Sequence, residues 1–98
     1  MITYRIHQIK DIAGTDYAFR SYDEEKFSFL DYECRGEGEF DVDDKTDLEI
    51  CEIIFYVFNM RKPADFKGHS LSMSDIIELD DGESRRLYYC DTCGWVQV

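Results

Sequence analysis

The stretch PADFKGHSLSMSDIIELDDGESRRLYYCDTCGW, residues 63–95, contains the strongest signals for the fold. Ile76 to Leu79 is a short apolar run that predicts a β-strand. The turn sequence Asp80-Asp81-Gly82-Glu83 follows it, and Gly82 can adopt the positive φ that a hairpin turn requires. Leu87 to Cys90 then predicts the returning strand of a C-terminal β-hairpin, and Gly94 permits a sharp bend after it.

Upstream of this stretch the residues predict a helix, which Pro63 ends. Thr46 and Glu49 have the spacing of a capping box, so the helix is expected around residues 47–59. Its apolar residues cover two adjoining faces, which indicates deep burial or a partner. One face holds Leu48, Cys51, Phe55 and Phe58, and the other holds Ile50, Ile54 and Val57. The alternative is a strand from Ile53 to Phe58, because these residues are β-branched or aromatic.

The N-terminal half has weaker signals. Apolar and polar residues alternate from Ile2 to His7, which predicts a half-buried strand. Tyr17 to Phe19 predicts a second short strand. Residues 21–30 are ambiguous between a helical turn, with Ser21 and Glu24 as a capping box, and a strand. Arg35 to Glu39 has the composition of a mobile acidic loop.

The polar run after Pro63 is expected to alternate, with Leu71 and Met73 pointing inward and Ser70, Ser72 and Ser74 pointing outward. These elements predict an α+β fold, in which one main α-helix around residues 47–59 packs on a curved antiparallel β-sheet that is partly open and barrel-like. Residues 1–98 are expected to form a single domain.

The charge is acidic and unevenly distributed. The net charge is −11, and residues 23–52 contain thirteen acidic but only three basic side chains. Direct binding to duplex DNA or to anionic membranes is disfavoured, because both need a basic face, whereas a basic protein surface would be attracted. No apolar run reaches the ~20 residues that span a membrane, and the N-terminus lacks the pattern of a secretory signal. A cytoplasmic protein with reduced cysteines is therefore expected.

Several segments resemble the YodL-like domain, a small family of Gram-positive bacteria and their conjugative elements. The similarity is carried by Asp65 to Ile77, by Tyr88-Tyr89, Asp91 and Gly94-Trp95, and by the segments Thr3 to Lys10 and Phe58 to Met60. The resemblance implies a cytosolic bacterial product that is often associated with mobile elements and that modulates a host protein. It also implies that metal binding at Cys90 and Cys93 is not part of the family pattern.

The motifs for catalysis and for metal binding are incomplete, and no cofactor is predicted. Cys90 and Cys93 have the spacing of a zinc knuckle, but a closed site needs four ligands and only His7 and His69 could add to them. His69 and Ser70 are adjacent, which does not provide the nucleophile–base geometry of a hydrolase. The acids from Asp41 to Asp47 lack the twelve-residue calcium loop.

The leading hypothesis is a non-enzymatic, acidic protein-binding module that modulates or inhibits a host protein. Two alternatives stay open: an anti-CRISPR or anti-restriction inhibitor that mimics nucleic acid, and a small zinc-binding protein that uses Cys90 and Cys93. Two surfaces are candidates for the partner site. One is the acidic set Asp41, Asp43, Asp44 and Asp47, and the other is the polar set Asp65, Lys67, His69, Ser70, Ser72, Ser74 and Asp75.

Overall fold

The computed structural model describes residues 1–41, 44–64 and 66–98. Its strands form one antiparallel sheet in the order β2-β1-β3-β4-β5, with β2 and β5 at the two edges. The elements are β1 (Ile2–Ile9), a short 3-10 turn (Phe29–Asp31), β2 (Tyr32–Phe40), α1 (Asp47–Met60), β3 (Ile76–Asp80), β4 (Arg85–Asp91) and β5 (Gly94–Gln97). The α+β prediction and the C-terminal hairpin are confirmed. The sheet does not close into a barrel, because β2 and β5 do not pair with each other.

The helix α1 begins with the capping box that the sequence predicts. The Glu49 amide donates to Thr46 Oγ1 at 3.2 Å, and the Thr46 amide donates to Glu49 Oε1 at 3.0 Å. The helix ends at Met60, where the Arg61 amide still donates to the Val57 carbonyl at 2.7 Å. The helix prediction is therefore confirmed, and the alternative of a strand from Ile53 to Phe58 is wrong.

One face of the sheet is covered by α1. The buried residues of this core come from both layers: Ile6, Ile77, Leu79 and Tyr88 from the sheet, and Ile50, Cys51, Ile54 and Phe58 from the helix. Leu48, which the sequence assigns to an apolar helix face, is 50% exposed and does not belong to this core. The apolar stripe that packs on the sheet is thus narrower than the composition suggests.

Residues 10–31 cover the part of the other sheet face that contains Ile9, Ile76 and Tyr89. Tyr17, Tyr32 and Tyr89 pack there with Ile9 and Ile76, and the rings of Phe27 and Phe29 flank them. This segment contains turns and the 3-10 turn, so the strand predicted at Tyr17 to Phe19 is wrong. Of the two alternatives for residues 21–30, a single turn forms, in which the Phe27 amide donates to the Asp23 carbonyl at 2.9 Å, and no strand is present there. Ser21 does not cap this turn, because its hydroxyl lies 2.7 Å from Thr92 Oγ1. Aromatic side chains hold the segment in place through the packing of their rings, which needs no regular backbone.

The segment Arg35 to Glu39 is part of strand β2 and not a loop. A bulge at Arg35 shifts the register between β1 and β2, so that Ile6 pairs with Gly36 and His7 pairs with Cys34. A Cβ on Gly36 would lie 2.7 Å from the Phe66 ring, and one on Gly38 would lie 2.4 Å from the Tyr4 hydroxyl. The two glycines are therefore places where aromatic rings lie directly on the strand, and not signs of a loop.

No helix in the described part of the chain is long and apolar enough to cross a bilayer.

Candidate functional site

The segment after the helix crosses the end of the sheet at β2 and β1. The Lys67 amide donates to the Arg35 carbonyl at 3.2 Å, which attaches the segment to the outer edge of β2. Gly68 then passes so close to β1 that a Cβ would lie 2.0 Å from Gln8 Oε1. We call residues Phe66 to Asp75 the motif run. Close packing explains why a glycine follows Phe66 and Lys67 here.

The motif run ends in a buried polar network centred on Asp75, which is 2% exposed. Asp75 Oδ2 accepts hydrogen bonds from Gln8 Nε2 at 3.0 Å and from the Ser72 amide at 2.9 Å. Gln8 Nε2 also donates to the His69 carbonyl at 2.9 Å. Burial raises the pKa of Asp75 to about 6, although the hydrogen bonds from Ser72 and Gln8 act in the opposite direction. The network joins the motif run to β1.

The motif run contains the ingredients of a nucleophilic site without its geometry. His69 Nδ1 lies 2.7 Å from the Ser70 carbonyl oxygen, so this nitrogen donates its N–H to a main-chain carbonyl, which cannot serve as a nucleophile. The Ser72 hydroxyl is buried without a hydrogen-bond partner among the described residues. Within the described motif run, no serine hydroxyl is hydrogen-bonded to the imidazole or to Asp75. The network instead holds the chain in place.

The polar set predicted as a partner surface is divided by the structure. Lys67 and Ser70 are exposed, and His69 and Ser72 are half-buried. Ser74 and Asp75 are buried, so the outward orientation predicted for Ser74 is wrong. The reason is a turn: Ser74 has a φ of 80°, its Oγ accepts from the Phe19 amide at 3.0 Å, and the alternation of an extended chain does not apply. Asp65 lies outside the described residues.

The acidic set predicted as a partner surface is also divided. Arg86 forms a bidentate ion pair with Asp47, with both N–O distances at 2.8 Å, and the Tyr88 hydroxyl donates to Asp47 Oδ2 at 2.6 Å. These hydrogen bonds, led by that from Arg86, lower the pKa of Asp47. Asp47 therefore anchors the start of α1 to β4. Asp41 and Asp44 are exposed, and Asp43 lies outside the described residues.

Strand β2 adds acids to this surface that sequence reasoning had placed in a loop. Glu37 pairs with Arg5 and Glu39 pairs with Thr3, so both side chains lie on the sheet face opposite α1, toward the C-terminal end of β2. The Glu37 side chain is 65% exposed and accepts from Arg5 Nε at 3.2 Å. We call Glu37, Glu39, Asp41 and Asp44 the acidic edge. Alternation of Glu with Gly in residues 36–39 is the signal that could have identified the strand.

A second buried carboxylate, Glu78, lies on the same sheet face and was missed by sequence reasoning. It is 3% exposed and accepts from Arg5 Nη1 at 2.6 Å and from His7 Nε2 at 2.8 Å, with Arg85 Nε at 3.8 Å. Burial lowers the pKa of His7 more than Glu78 raises it, so the imidazole is neutral and donates its N–H to Glu78. Both groups are enclosed, and neither lines the surface depression of about 800 Å³ between Tyr17, Tyr22 and Met73.

The cysteines proposed as zinc ligands lie at the β4–β5 turn. Cys90 is buried, which raises the pKa of its thiol to about 12, and Cys93 is exposed. Burial likewise raises the pKa of Cys51 to about 12. Among residues 1–41, 44–64 and 66–98 no group of three or more His, Cys, Asp or Glu side chains has the arrangement of a metal site.

The comparison with family models matches residues 3–98 to the YodL-like domain. The chain belongs to the YodL-like domain family. The match extends well beyond the motifs that suggested it and includes β2 and the acidic edge. The comparisons with curated proteins and with solved structures found no match. For this YodL-like domain, an activity must therefore be inferred from its own surface.

Within the YodL-like domain, the residues that carried the resemblance are largely structural. Phe66, Leu71 and Tyr88 belong to the core under the helix, and Asp75 holds the motif run against β1. A family resemblance in these residues therefore identifies the fold and leaves the binding partner open.

Proposed function

We propose that this YodL-like domain is a non-enzymatic binding module that docks the acidic edge on a basic surface of a host protein and thereby modulates that protein. The observation that carries the proposal is the concentration of exposed carboxylates on an edge strand and the residues that follow it. Among the described residues, Glu39, Asp41 and Asp44 form no ion pair, whereas the other carboxylates discussed above are engaged. Unpaired surface charge is available to a partner.

Electrostatics supports a basic partner. With a net charge of −11, the domain would attract a basic surface over distances of about a Debye length, roughly 8–10 Å at physiological salt. Exposed charges of this kind raise the association rate more than they slow dissociation, and the effect weakens as salt increases. Binding should therefore be sensitive to ionic strength.

The buried titratable groups support a module without catalysis. Asp75 and the His7–Glu78 pair have the perturbed environments that active sites use, but each directs its hydrogen bonds to neighbouring parts of the sheet or the motif run. A structural role accounts for both arrangements.

The test compares two variants that carry the same change in net charge. The edge variant combines Glu37→Gln, Glu39→Gln, Asp41→Asn and Asp44→Asn. The control variant combines Asp16→Asn, Glu24→Gln, Glu25→Gln and Glu83→Gln, which are exposed acids whose side chains form no hydrogen bond among the described residues. Immobilised wild-type protein and both variants are used to capture partners from host extract at low and moderate salt.

We expect a partner that the wild-type protein and the control variant retain at low salt and that the edge variant loses. Equal losses with the two variants would show that only total charge matters and would contradict the proposal. Competition by duplex DNA sharpens the result. A partner that DNA displaces is bound at its nucleic-acid groove, which is the anti-restriction form of the hypothesis, and a partner that DNA leaves in place is bound elsewhere.

A further inference from the structure

We infer that the partner contributes an extended segment that adds to the sheet as an antiparallel strand beside β2, along Glu37 to Phe40. This inference rests on the proposed function and specifies how the acidic edge binds. Three observations carry it: the direction of the main-chain groups of β2, the open part of its edge, and the different chemistry of the two faces beside it.

The main-chain groups of Glu37 and Glu39 point away from β1. The Arg35 carbonyl points outward, because it accepts from the Lys67 amide. Main-chain direction alternates along a strand, so Gly38 faces β1 and Glu37 and Glu39 face the outer edge.

The other strands give the same result independently. The Cys90 amide donates to the Asp75 carbonyl at 2.9 Å, so the odd residues of β3 face β4 and Glu78 faces β1. Glu78 pairs with Arg5, which therefore directs its main-chain groups to β3, and the neighbouring Tyr4 directs its groups to Gly38 of β2.

The edge of β2 is covered at one end only. The motif run contacts it at Arg35, and in the described part of the chain no hydrogen bond uses the main-chain groups of Glu37 or Glu39. Four residues, Glu37 to Phe40, remain open, a length of roughly 13 Å at about 3.3 Å per residue. An open edge of this kind is a template for another strand.

The two faces beside this edge differ in chemistry. On the helix side, the Tyr4 and Phe66 rings lie over the two strand glycines and, with Pro63, Phe58 and Glu37, line a small cleft of about 40 Å³. On the opposite side lie the carboxylates of Glu37 and Glu39. An added strand would therefore match if its residues alternated, basic toward the acids and apolar toward the cleft.

A second copy of this chain does not fit the edge. Pairing two copies of β2 would bring Glu37 and Glu39 of each copy together, and like charges opposite each other are destabilising. The acids thus discourage self-association and select a basic strand.

In antiparallel addition, the residues directly opposite Glu37 and Glu39 exchange hydrogen bonds with them and direct their side chains to the acidic face. The basic residues of the partner are then the ones whose amides face β2, and the amides of its apolar residues face away. This register makes the inference testable with a peptide.

The probe is a seven-residue peptide of alternating Lys and Val with blocked ends, titrated into the isotope-labelled domain and followed by NMR. We expect the Glu37 and Glu39 amides to show the largest shifts. N-methylation of the Lys amides should weaken binding about tenfold or more, and N-methylation of the Val amides should leave it nearly unchanged. All three peptides carry the same charge, so nonspecific attraction to an acidic protein affects them equally.

A matched pair of protein variants completes the test. Glu39→Pro removes one outward amide without touching the β1 ladder, and Glu39→Gln removes only the charge. Glu39→Pro should weaken the binding of the unmethylated peptide more than Glu39→Gln does. Tolerance of N-methylation at both positions, or loss only with methylated Val, overturns antiparallel strand addition. Such a result leaves the electrostatic proposal standing if the edge variant still loses its partner while the control variant retains it.

Discussion

The motif run, which lies beside β2, and the acidic edge, which begins within β2, are both polar, but their polar side chains have different surroundings. In the motif run, Ser74 and Asp75 are buried, and their side chains accept hydrogen bonds from the Phe19 amide and from Gln8 Nε2 of other segments. In the acidic edge, Glu39, Asp41 and Asp44 are exposed and form no ion pair with a described residue. One polar segment is thus part of the packed fold, and the other keeps exposed carboxylates.

The difference lies in the backbone, which composition does not reveal. The turn at Ser74, where φ is 80°, interrupts the extended chain, and the side chains of Ser74 and Asp75 are buried there. Strand β2 is extended, so its side chains alternate and its outer main-chain groups stay accessible. Stability should therefore be sensitive to changes in the motif run and nearly insensitive to changes in the acidic edge.

The largest effect is expected from Asp75→Ala. This change leaves one N–H of Gln8 Nε2 and the Ser72 amide without their buried acceptor, and each unsatisfied donor costs about 1–3 kcal/mol. We expect the free energy of unfolding to fall by roughly 2–4 kcal/mol in urea titrations. Ser70→Ala, in the same run but exposed, is the control and should change it by less than about 0.5 kcal/mol. Equal effects would show that the network does not hold the run.

A somewhat smaller effect concerns pH. The folded protein holds the Asp75 proton more tightly than the unfolded chain, because burial raises its pKa from about 4 to about 6. Between these values the native state binds more protons, so the contribution of Asp75 to stability falls as pH rises, by roughly 2–3 kcal/mol in total. Below about pH 4 the contribution is complete, and above about pH 6 it is lost.

Asp75→Asn isolates this contribution. Other groups, including His7, titrate nearby with the opposite sign, since a lowered histidine pKa costs stability as pH falls. The difference in unfolding free energy between wild type and Asp75→Asn should therefore be followed from pH 4 to pH 7. A difference that stays constant across this window would refute the raised pKa.

Part of the fold behind this comparison could be predicted from the sequence. The rest depends on contacts between residues that are far apart in the chain. Local rules sufficed for α1 and the hairpin, because Thr46, Glu49 and Gly82 act on their immediate neighbours. They failed at residues 35–39, where the glycines that suggest a loop instead admit the Tyr4 and Phe66 rings. They failed again at Asp47, whose charge is engaged by an arginine 39 positions away in the chain.

The smallest expected effect distinguishes Asp47 from Asp44, which are two members of the predicted acidic set. Asp47→Ala removes the bidentate pair with Arg86 and the acceptor of the Tyr88 hydroxyl, so it should lower the free energy of unfolding by about 1–2 kcal/mol. Asp44→Ala removes an exposed charge from a chain with a net charge of −11 and should change stability by less than about 0.5 kcal/mol. Denaturation at low and high salt measures both. Since the Asp47 pair is partly shielded from solvent, its effect should persist at high salt, and a destabilisation by Asp44→Ala as large as that by Asp47→Ala would mean that the acidic edge is also part of the fold.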